Sequence, residues 1–135
     1  MTISTLPEEP GTCIYRRVFH GHADQIGEVR QFLRTHLGGH PSAPDVTLVA
    51  SELTTNAWEH TNTGKPGGTF TVEARQRADN TIRLEVHDDG GPTGFGETNI
   101  HKEGGRGLGI VAALTVTWGV NGDAVGRTVW AEFKP

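Results

Sequence analysis

The chain carries two helical patterns of apolar residues near its start. From Asp24, a candidate N-cap, apolar side chains recur at helical spacing until the pair Gly38-Gly39 ends the run. A second stripe follows within residues 45–61, with apolar positions at i, i+3, i+4, i+7 and i+11. These stripes predict two amphipathic helices, with their buried faces formed by Ile26, Val29, Leu33 and Leu37 and by Val46, Val49, Ala50, Leu53 and Ala57.

Alternation with a period of two predicts strands before and after these helices. Residues 13–20 form a candidate first strand, and residues 69–77 and 81–88 form a hairpin around the turn sequence RADN. One face of the hairpin is polar, with Thr, Glu, Arg and His, and we expect it to be solvated or to contact a partner. The opposite face is apolar and consists of Phe70, Val72, Ala74, Ile82, Leu84 and Val86.

The remaining pattern completes an α+β domain. A glycine-rich segment, residues 88–107, precedes an apolar helix that begins near Leu108, and a short strand about Trp118–Asn121 is followed by a last strand within residues 126–133. The order is β, α, α, β, β, loop, α, β, β. Such an order predicts a two-layer α/β sandwich with a mixed, mostly antiparallel sheet and helices on one face. We expect one domain over residues 13–135 behind a flexible tail, residues 1–12.

Composition adds a local excess of glycine to this picture. The 135 residues suit one domain with a single core, and 19 of them are glycine, about twice the average usage. Eight of these glycines fall between Gly90 and Gly109, which points to a loop or a site. The net charge of −4 does not favour a basic groove for nucleic acid.

Targeting signals are not evident in the sequence. No apolar run approaches the roughly 20 residues of a membrane span, and the N-terminus lacks the basic start and apolar core of a secretory signal. The single cysteine, Cys13, cannot form an internal disulfide, which suits a reducing cytosol. We therefore expect a cytoplasmic protein that contacts neither a membrane nor nucleic acid directly.

The second predicted helix carries a carboxylate and an amide one turn apart. Glu52 and Asn56 lie roughly 100° from the centre of the apolar stripe, at the edge of the buried face. A carboxylate there can act as a general base, and an amide oxygen suits Mg²⁺. Helix edges are nearly always polar, so an ordinary surface is the better explanation of this pair when it is taken alone.

Two glycine-rich segments are also candidates for ligand binding. In VHDDGGP, residues 86–92, an aspartate ends a strand before a tight turn, where it can accept a hydrogen bond from an exocyclic amine. In GGRGLGI, residues 104–110, glycines leave the N–H groups of a helix start accessible to phosphate, and Lys102 and Arg106 add positive charge. An ordinary Asp-Gly turn and a hinge are the respective alternatives. Neither the Rossmann nor the P-loop pattern is present.

Together, these segments resemble the motifs of one family. ELTTNAWEH, VHDDGGP, GGRGLGI and GRT, residues 126–128, resemble in order and spacing the E-x-x-x-N, D-x-G-x-G, G-x-G-x-G and G-x-T boxes of the GHKL ATPases, which have the Bergerat fold. The chain is most similar to the small anti-sigma-factor serine kinases of actinobacteria and bacilli. The resemblance covers about residues 13–133, and Pro92 departs from it by replacing the last glycine of the second box.

The resemblance implies a role for each matched residue. Glu52 would polarise the attacking hydroxyl or water, and Asn56 would hold Mg²⁺. Asp88 would accept a hydrogen bond from the adenine amine, and Gly90 would allow close approach of the base. His60, which closes the first box, has no defined role.

The resemblance also implies a wider contact set for ATP. The glycines at the start of the third helix would wrap the phosphates, and Thr128 would support the adenine through its hydroxyl or a water. The implied ATP-binding residues are Asn56, Asp88, Gly90, Lys102, Gly105, Arg106, Gly107, Leu108, Gly109 and Thr128.

The activity that the resemblance implies is phosphate transfer to a protein. The γ-phosphate of ATP would pass to a serine or threonine of a small anti-anti-sigma protein, and the kinase, as a homodimer, would sequester a sigma factor. A non-catalytic ATP-binding module that sequesters a partner is the alternative. The residues also leave open a metal oxygenase, in which His87, Asp89 and a distant histidine would hold iron.

Overall fold

The computed structural model describes residues 10–90, 106–122 and 125–135. The first nine residues of the predicted tail, and residues 91–105 of the predicted glycine-rich segment, lie outside this part of the chain. Within it, five strands, three α-helices and two 3-10 turns follow one another. In chain order they are β1 (Cys13–His20), a turn (Ala23–Gln25), α1 (Ile26–Leu37), α2 (Ala43–His60), a turn (Asn62–Gly64), β2 (Thr69–Gln76), β3 (Ile82–Asp88), α3 (Arg106–Leu114), β4 (Thr117–Gly122) and β5 (Arg127–Phe133).

The five strands form one sheet in the order β1-β2-β3-β5-β4. All four pairings are antiparallel, including β3 with β5. The α+β two-layer architecture is therefore confirmed, whereas the expected mixed sheet is, in the described strands, entirely antiparallel. The chain leaves β3, passes through α3 to the sheet edge at β4, and returns as β5 between them.

The three helices cover one face of the sheet, with α2 in the middle. Helix α1 lies over β1, where Tyr15 stacks on His36 with ring centroids 4.5 Å apart. Helix α2 contacts α1, β2 and β3, and it also contacts α3, which in turn contacts β4. Since β1 and β4 are the two sheet edges, α1 and α3 lie on opposite sides of α2.

The core forms where the α2 stripe meets the apolar face of the hairpin. Each of the five predicted stripe residues is at most 1 % exposed, and so is each of the six predicted hairpin residues. Val129, Ala131 and Phe133 of β5 extend the same buried face. The predicted periodicities are therefore confirmed for α2, β2 and β3.

The helix boundaries differ from the prediction at two points. Asp24 is not the N-cap of α1, because it lies within the 3-10 turn and Gln25 caps the helix instead. Helix α2 begins at Ala43, two residues earlier than expected, and Pro44 lies in its first turn. Proline fits there because the first N–H groups of a helix have no intrahelical acceptor.

The open face of the sheet is ion-paired within itself. Glu73, only 6 % exposed, lies 3.1 Å from Arg16 and 2.9 Å from Arg75. Glu132 lies 3.0 Å from Arg77 and 3.0 Å from Arg83. This face was expected to be solvated or to contact a partner. Its charged side chains contact one another, and its arginines stay partly exposed.

An aromatic side chain lies flat on this open face. A Cβ atom at Gly119 would lie 2.7 Å from the indole of Trp130, so the ring occupies the space above that glycine. The guanidinium of Arg83 stacks on the same ring at 4.4 Å from its centroid. Trp130 and the arginine side chains thus cover much of the sheet surface that no helix covers.

Glu85 is a strongly perturbed acid of this network. His87 lowers the pKa of Glu85, and the hydrogen bond and charge of Arg83 lower it further against the opposing effect of burial, to about 2. The atoms Arg83 Nε and Glu85 Oε2 are 2.7 Å apart. A carboxyl with a depressed pKa in the folded state stabilises the fold above its unfolded pKa, and this stabilisation disappears as the pH falls.

We predict that Glu85→Gln flattens the acid limb of the stability profile. In the wild-type protein, the free energy of unfolding should fall as the pH drops from about 4.5 towards 2, by roughly 2–3 kcal/mol from this group. Urea denaturation at a series of pH values measures the slope. Glu28→Gln is the matched control, because its surface pair with Arg17, at 3.6 Å, contributes little. An unchanged slope in Glu85→Gln would contradict the prediction.

Candidate functional site

Glu52 and Asn56 lie on the flank of α2 that is turned away from α1. The opposite flank faces α1, where Arg30 Nε donates a hydrogen bond to Ser51 Oγ at 2.9 Å. Both Glu52 and Asn56 are half-buried, beside the fully buried Leu53 and Ala57. Because α2 lies between α1 and α3, their flank faces the side of the domain on which α3 lies.

The end of β3 carries a buried aspartate and a tight turn. Asp88 is 7 % exposed, and its Oδ1 accepts a hydrogen bond from the Gly90 N–H at 2.8 Å. Gly90 has a φ of 69°, in the left-handed region that glycine adopts without steric cost. The structure thus places a carboxylate immediately before a glycine turn, as the sequence predicted.

Asp88 is paired with an arginine that the sequence analysis did not select. Arg127, the first residue of β5, lies directly opposite Asp88 in the sheet register. Its Nε donates to Asp88 Oδ2 at 2.8 Å, and its Nη2 lies 2.7 Å from the same oxygen. Both side chains are almost fully buried, with 0 % and 1 % exposure.

Burial and pairing act on Asp88 in opposite directions. Burial raises the pKa of Asp88, and the positive charge of Arg127 and the Gly90 N–H oppose that rise. Removing either Asp88 or Arg127 would leave a buried charge without its partner, which would lower the free energy of unfolding.

Thr128 is not brought to Asp88. It lies opposite His87 in the register, and Thr128 Oγ1 is 2.7 Å from His87 Nδ1 on the open face of the sheet. Asp88 points to the helix-covered face instead. Neighbouring residues of a strand point to opposite faces, so Arg127, and not Thr128, shares a face with Asp88.

The third glycine box lies only partly in the described chain. Helix α3 begins at Arg106, two residues before the expected start, and its first turn includes Gly107, Leu108 and Gly109. Gly109 is exposed, and a Cβ atom there would meet no atom within 4 Å. Lys102 and Gly105 lie outside the described residues, and His60 is the last residue of α2.

A buried threonine holds the turn after β3 in place. The hydroxyl of Thr63, a fully buried residue, accepts a hydrogen bond from the Asp89 N–H at 2.8 Å and donates one to the Thr69 carbonyl at 3.0 Å. The Asp89 carboxylate accepts from the Thr69 N–H at 3.1 Å. The segment after α2 and the start of β2 are thereby tied to the residues that follow Asp88.

The metal-oxygenase alternative does not fit this arrangement. His87 faces Thr128 on the open face, whereas Asp89 binds the Thr69 backbone. Within the part of the chain that the structure describes, no three His, Cys, Asp or Glu side chains are grouped to hold a metal ion.

A groove among the described residues lies elsewhere. It has a volume of about 410 Å³ and is lined by Arg30, Arg34, Thr47 and Leu48, among others, between α1 and α2. This groove is on the other flank of α2 from Glu52 and Asn56. Since the chemistry of the sequence motifs lies on the α3 side, we assign the candidate site by its side chains and not by cavity size.

The chain belongs to the family of histidine kinase-like ATPase domains. The family model matches residues 19–133, nearly the whole chain and all the elements described above except the start of β1. The GHKL resemblance and the Bergerat-type fold are thereby confirmed. None of the described helices is long and apolar enough to cross a membrane.

A solved structure has a similar fold. It is the crystal structure of the RsbU and RsbW domains of Rv1364c from Mycobacterium tuberculosis, with a TM-score of 0.64 and 21% sequence identity. The match covers 88% of this chain but only 32% of the other, so this chain spans about a third of that protein's length. A comparison with curated protein sequences finds no match.

The sequence contained a signal for Arg127, which its analysis missed. Asp88 and Arg127 both occupy the apolar phase of their strands, in line with Val86 and Val129. Opposite charges in the buried phase of two strands indicate a buried pair. Thr63 gave no comparable signal, since its role depends on where a loop folds back on the sheet.

We predict that Thr63→Val weakens the turn that carries Asp88. Valine has nearly the same shape but leaves the half-buried Asp89 N–H without its acceptor, which should lower the free energy of unfolding by about 1–3 kcal/mol. Amide hydrogen exchange at Asp89 and Gly90 should accelerate more than in the rest of β3. Thr55→Val is the control, because the Thr55 hydroxyl donates only to a carbonyl within α2. Equal exchange in the two variants would contradict this role of Thr63.

Proposed function

We propose that this chain is an ATP-dependent protein serine/threonine kinase that acts in the cytoplasm as an anti-sigma factor. Its substrate would be a serine or threonine of a small anti-anti-sigma protein, and its sequestered partner would be a sigma factor. We further propose that it works as a homodimer. Membership of the ATPase-domain family supports nucleotide binding, and the resemblance of the motifs to anti-sigma-factor kinases supports the choice of substrate and partner.

The observation that carries the proposal is the buried Asp88 carboxylate at the glycine turn. Its Oδ1 accepts one hydrogen bond, from the Gly90 N–H, although each carboxylate oxygen has about two lone-pair sites. A carboxylate with remaining acceptor capacity, next to a turn without a Cβ atom, suits a flat base with an exocyclic amine. This arrangement fits adenine, and the backbone start of α3 suits phosphate.

The proposed catalytic groups are on the α3-facing flank of α2. Bound ATP would supply the phosphoryl group, and Mg²⁺ would neutralise its charge. Glu52 would orient the acceptor hydroxyl and take up its proton, and Asn56 would offer its amide oxygen to the metal. The remaining proposed contacts with ATP come from the glycine box, that is from Lys102, Gly105, Arg106, Gly107, Leu108 and Gly109. Thr128 is not among them, because its side chain lies against His87 on the face opposite to that of Asp88.

We predict that Glu52→Ala abolishes phosphate transfer but keeps nucleotide binding. Loss of a general base should reduce the rate by about 10²–10⁴-fold, whereas the ATP dissociation constant should change little. A pull-down from the source cell, with and without ATP, first identifies the retained sigma factor or antagonist. Transfer of the labelled γ-phosphate to the antagonist is then measured for the wild type, Glu52→Ala and the control Asp45→Asn, which alters an acid in the first turn of the same helix.

The outcomes separate the two forms of the proposal. Transfer by the wild type and Asp45→Asn, but not by Glu52→Ala, supports a kinase. If the wild type binds ATP with Mg²⁺ and retains a partner but labels no antagonist, the chain is a non-catalytic module that sequesters its partner. If it binds no ATP, both forms are wrong.

We predict that Asn56→Ala removes the magnesium-dependent part of ATP affinity. With Mg²⁺ present, the variant should bind ATP about tenfold more weakly than the wild type, since it loses a metal ligand. In excess chelator, the two proteins should bind ATP equally. Calorimetric titration under both conditions measures this difference, and a loss of affinity that is the same with and without Mg²⁺ would exclude Asn56 as a ligand.

A further inference from the structure

Arg127 has hydrogen-bond donors that the described residues do not use. Its Nη1 is buried and has no hydrogen-bond partner in the described part of the chain. Its Nη2 is close to Asp88 Oδ2, at 2.7 Å, but its N–H groups are not aligned for a hydrogen bond, so we treat this contact as an ion pair. A guanidinium has five N–H donors, and only the one on Nε is used in a well-formed hydrogen bond to Asp88.

Unused donors are unusual in so buried a side chain. Arg127 is 2 % exposed as a residue, and buried polar groups normally have partners because an unsatisfied N–H group costs free energy. The same principle holds for three arginines on or next to the central strands, Arg75, Arg77 and Arg83, each of which is within 3.0 Å of a carboxylate on the open face. A ligand with an acceptor atom would satisfy the free donors of Arg127.

The position of Arg127 restricts what that acceptor belongs to. The side chain lies against Asp88 on the helix-covered face, at the ends of two adjacent strands. Asp88 offers an acceptor through Oδ1, and Arg127 offers donors beside it. The pair therefore presents an acceptor and a donor next to each other. This arrangement matches a flat group that carries a donor and an acceptor side by side along one edge.

We propose that Arg127 recognises the base of the bound nucleotide by donating a hydrogen bond to a ring nitrogen that flanks the amine accepted by Asp88. The inference rests on the proposed ATP binding and assigns a specificity-determining residue within that site. Adenine carries its exocyclic amine between two ring nitrogens, N1 and N7, and both are acceptors. Either edge of the base can thus satisfy Asp88 and Arg127 together.

A purely structural role for Arg127 makes a different prediction. If the guanidinium only neutralised Asp88, its replacement would lower stability and weaken all adenine nucleotides to the same extent. A direct contact with a ring nitrogen instead makes the effect depend on whether that nitrogen is present. Nucleotide analogues therefore distinguish the two roles without any change in the protein.

The test compares ATP with two analogues. In 1-deaza-ATP a C–H group replaces N1, and in 7-deaza-ATP a C–H group replaces N7. We expect wild-type protein to bind one of the two analogues about tenfold more weakly than ATP, because Arg127 then loses its acceptor. Dissociation constants from calorimetric titration are the readout, and the weaker analogue identifies the edge of the base that Arg127 contacts. Equal affinity for all three nucleotides would overturn the proposal.

Two variants complete the thermodynamic cycle. Arg127→Lys keeps a positive charge near Asp88 but lacks the guanidinium donors, and it should bind ATP and the weaker analogue with dissociation constants within about twofold of each other. Arg83→Lys, a substitution of a paired arginine on the opposite face, should keep the tenfold difference. Urea denaturation of each variant checks that it is folded.

The results also separate this inference from the proposed function. Failure of the wild type to bind ATP would reject the proposed function itself. Binding of ATP with an unchanged preference in Arg127→Lys would reject the role of Arg127 alone. If Arg127→Lys does not fold, the wild-type comparison of the three nucleotides still decides whether a ring nitrogen is recognised.

Discussion

The packing of α2 on the centre of the sheet determines where everything else in this domain lies. Five side chains of one helical stripe, from Val46 to Ala57, are buried against β2 and β3. Once that stripe is fixed, the rotation of the helix is fixed too, and its two flanks must face opposite sides. One flank meets α1 through Ser51, and the other presents Glu52 and Asn56 towards the side of α3.

The same packing explains how a charged pair can exist at the end of the sheet. Ile82, Leu84 and Val86 put the helix-covered face of β3 in an apolar environment, and Asp88 continues their alternation to the last residue. It is tolerated there because Arg127 continues the corresponding alternation of β5 and lies directly opposite. The buried pair is thus a product of antiparallel register, because a shift of β5 by one residue would move Arg127 to the other face and leave Asp88 without its partner.

Much of this fold could be predicted from the sequence because periodicity depends on local spacing alone. The stripe of α2 and the alternation of β2 and β3 require only that one face be apolar, and the structure confirms both. The start of α1 was missed because Asp24 fits the composition of an N-cap, although the chain first makes a 3-10 turn. Whether α3 wraps phosphate, as its glycines predict, stays a prediction.

The candidate site was harder to predict, since it depends on which residues meet across the sheet. The resemblance to GHKL motifs selected Thr128, but strand register gives Arg127 the position beside Asp88. Register is set by pairings between strands that are 39 residues apart in the chain, as Arg127 and Asp88 are. The contacts of Thr63 are of the same kind. The alternation of β5 indicates that Arg127 is on the buried face, but no local pattern shows that it lies opposite Asp88.

The flat indole of Trp130 over Gly119 has a consequence for the architecture as a whole. A two-layer domain leaves one side of its sheet without a helix, and the backbone of a central strand would there be open to water. Here the ring and the stems of the arginines form a thin third layer built from side chains alone. A larger residue at position 119 would lift the ring from the sheet. The absence of a side chain at Gly119 therefore allows the uncovered face to be shielded without another element of secondary structure.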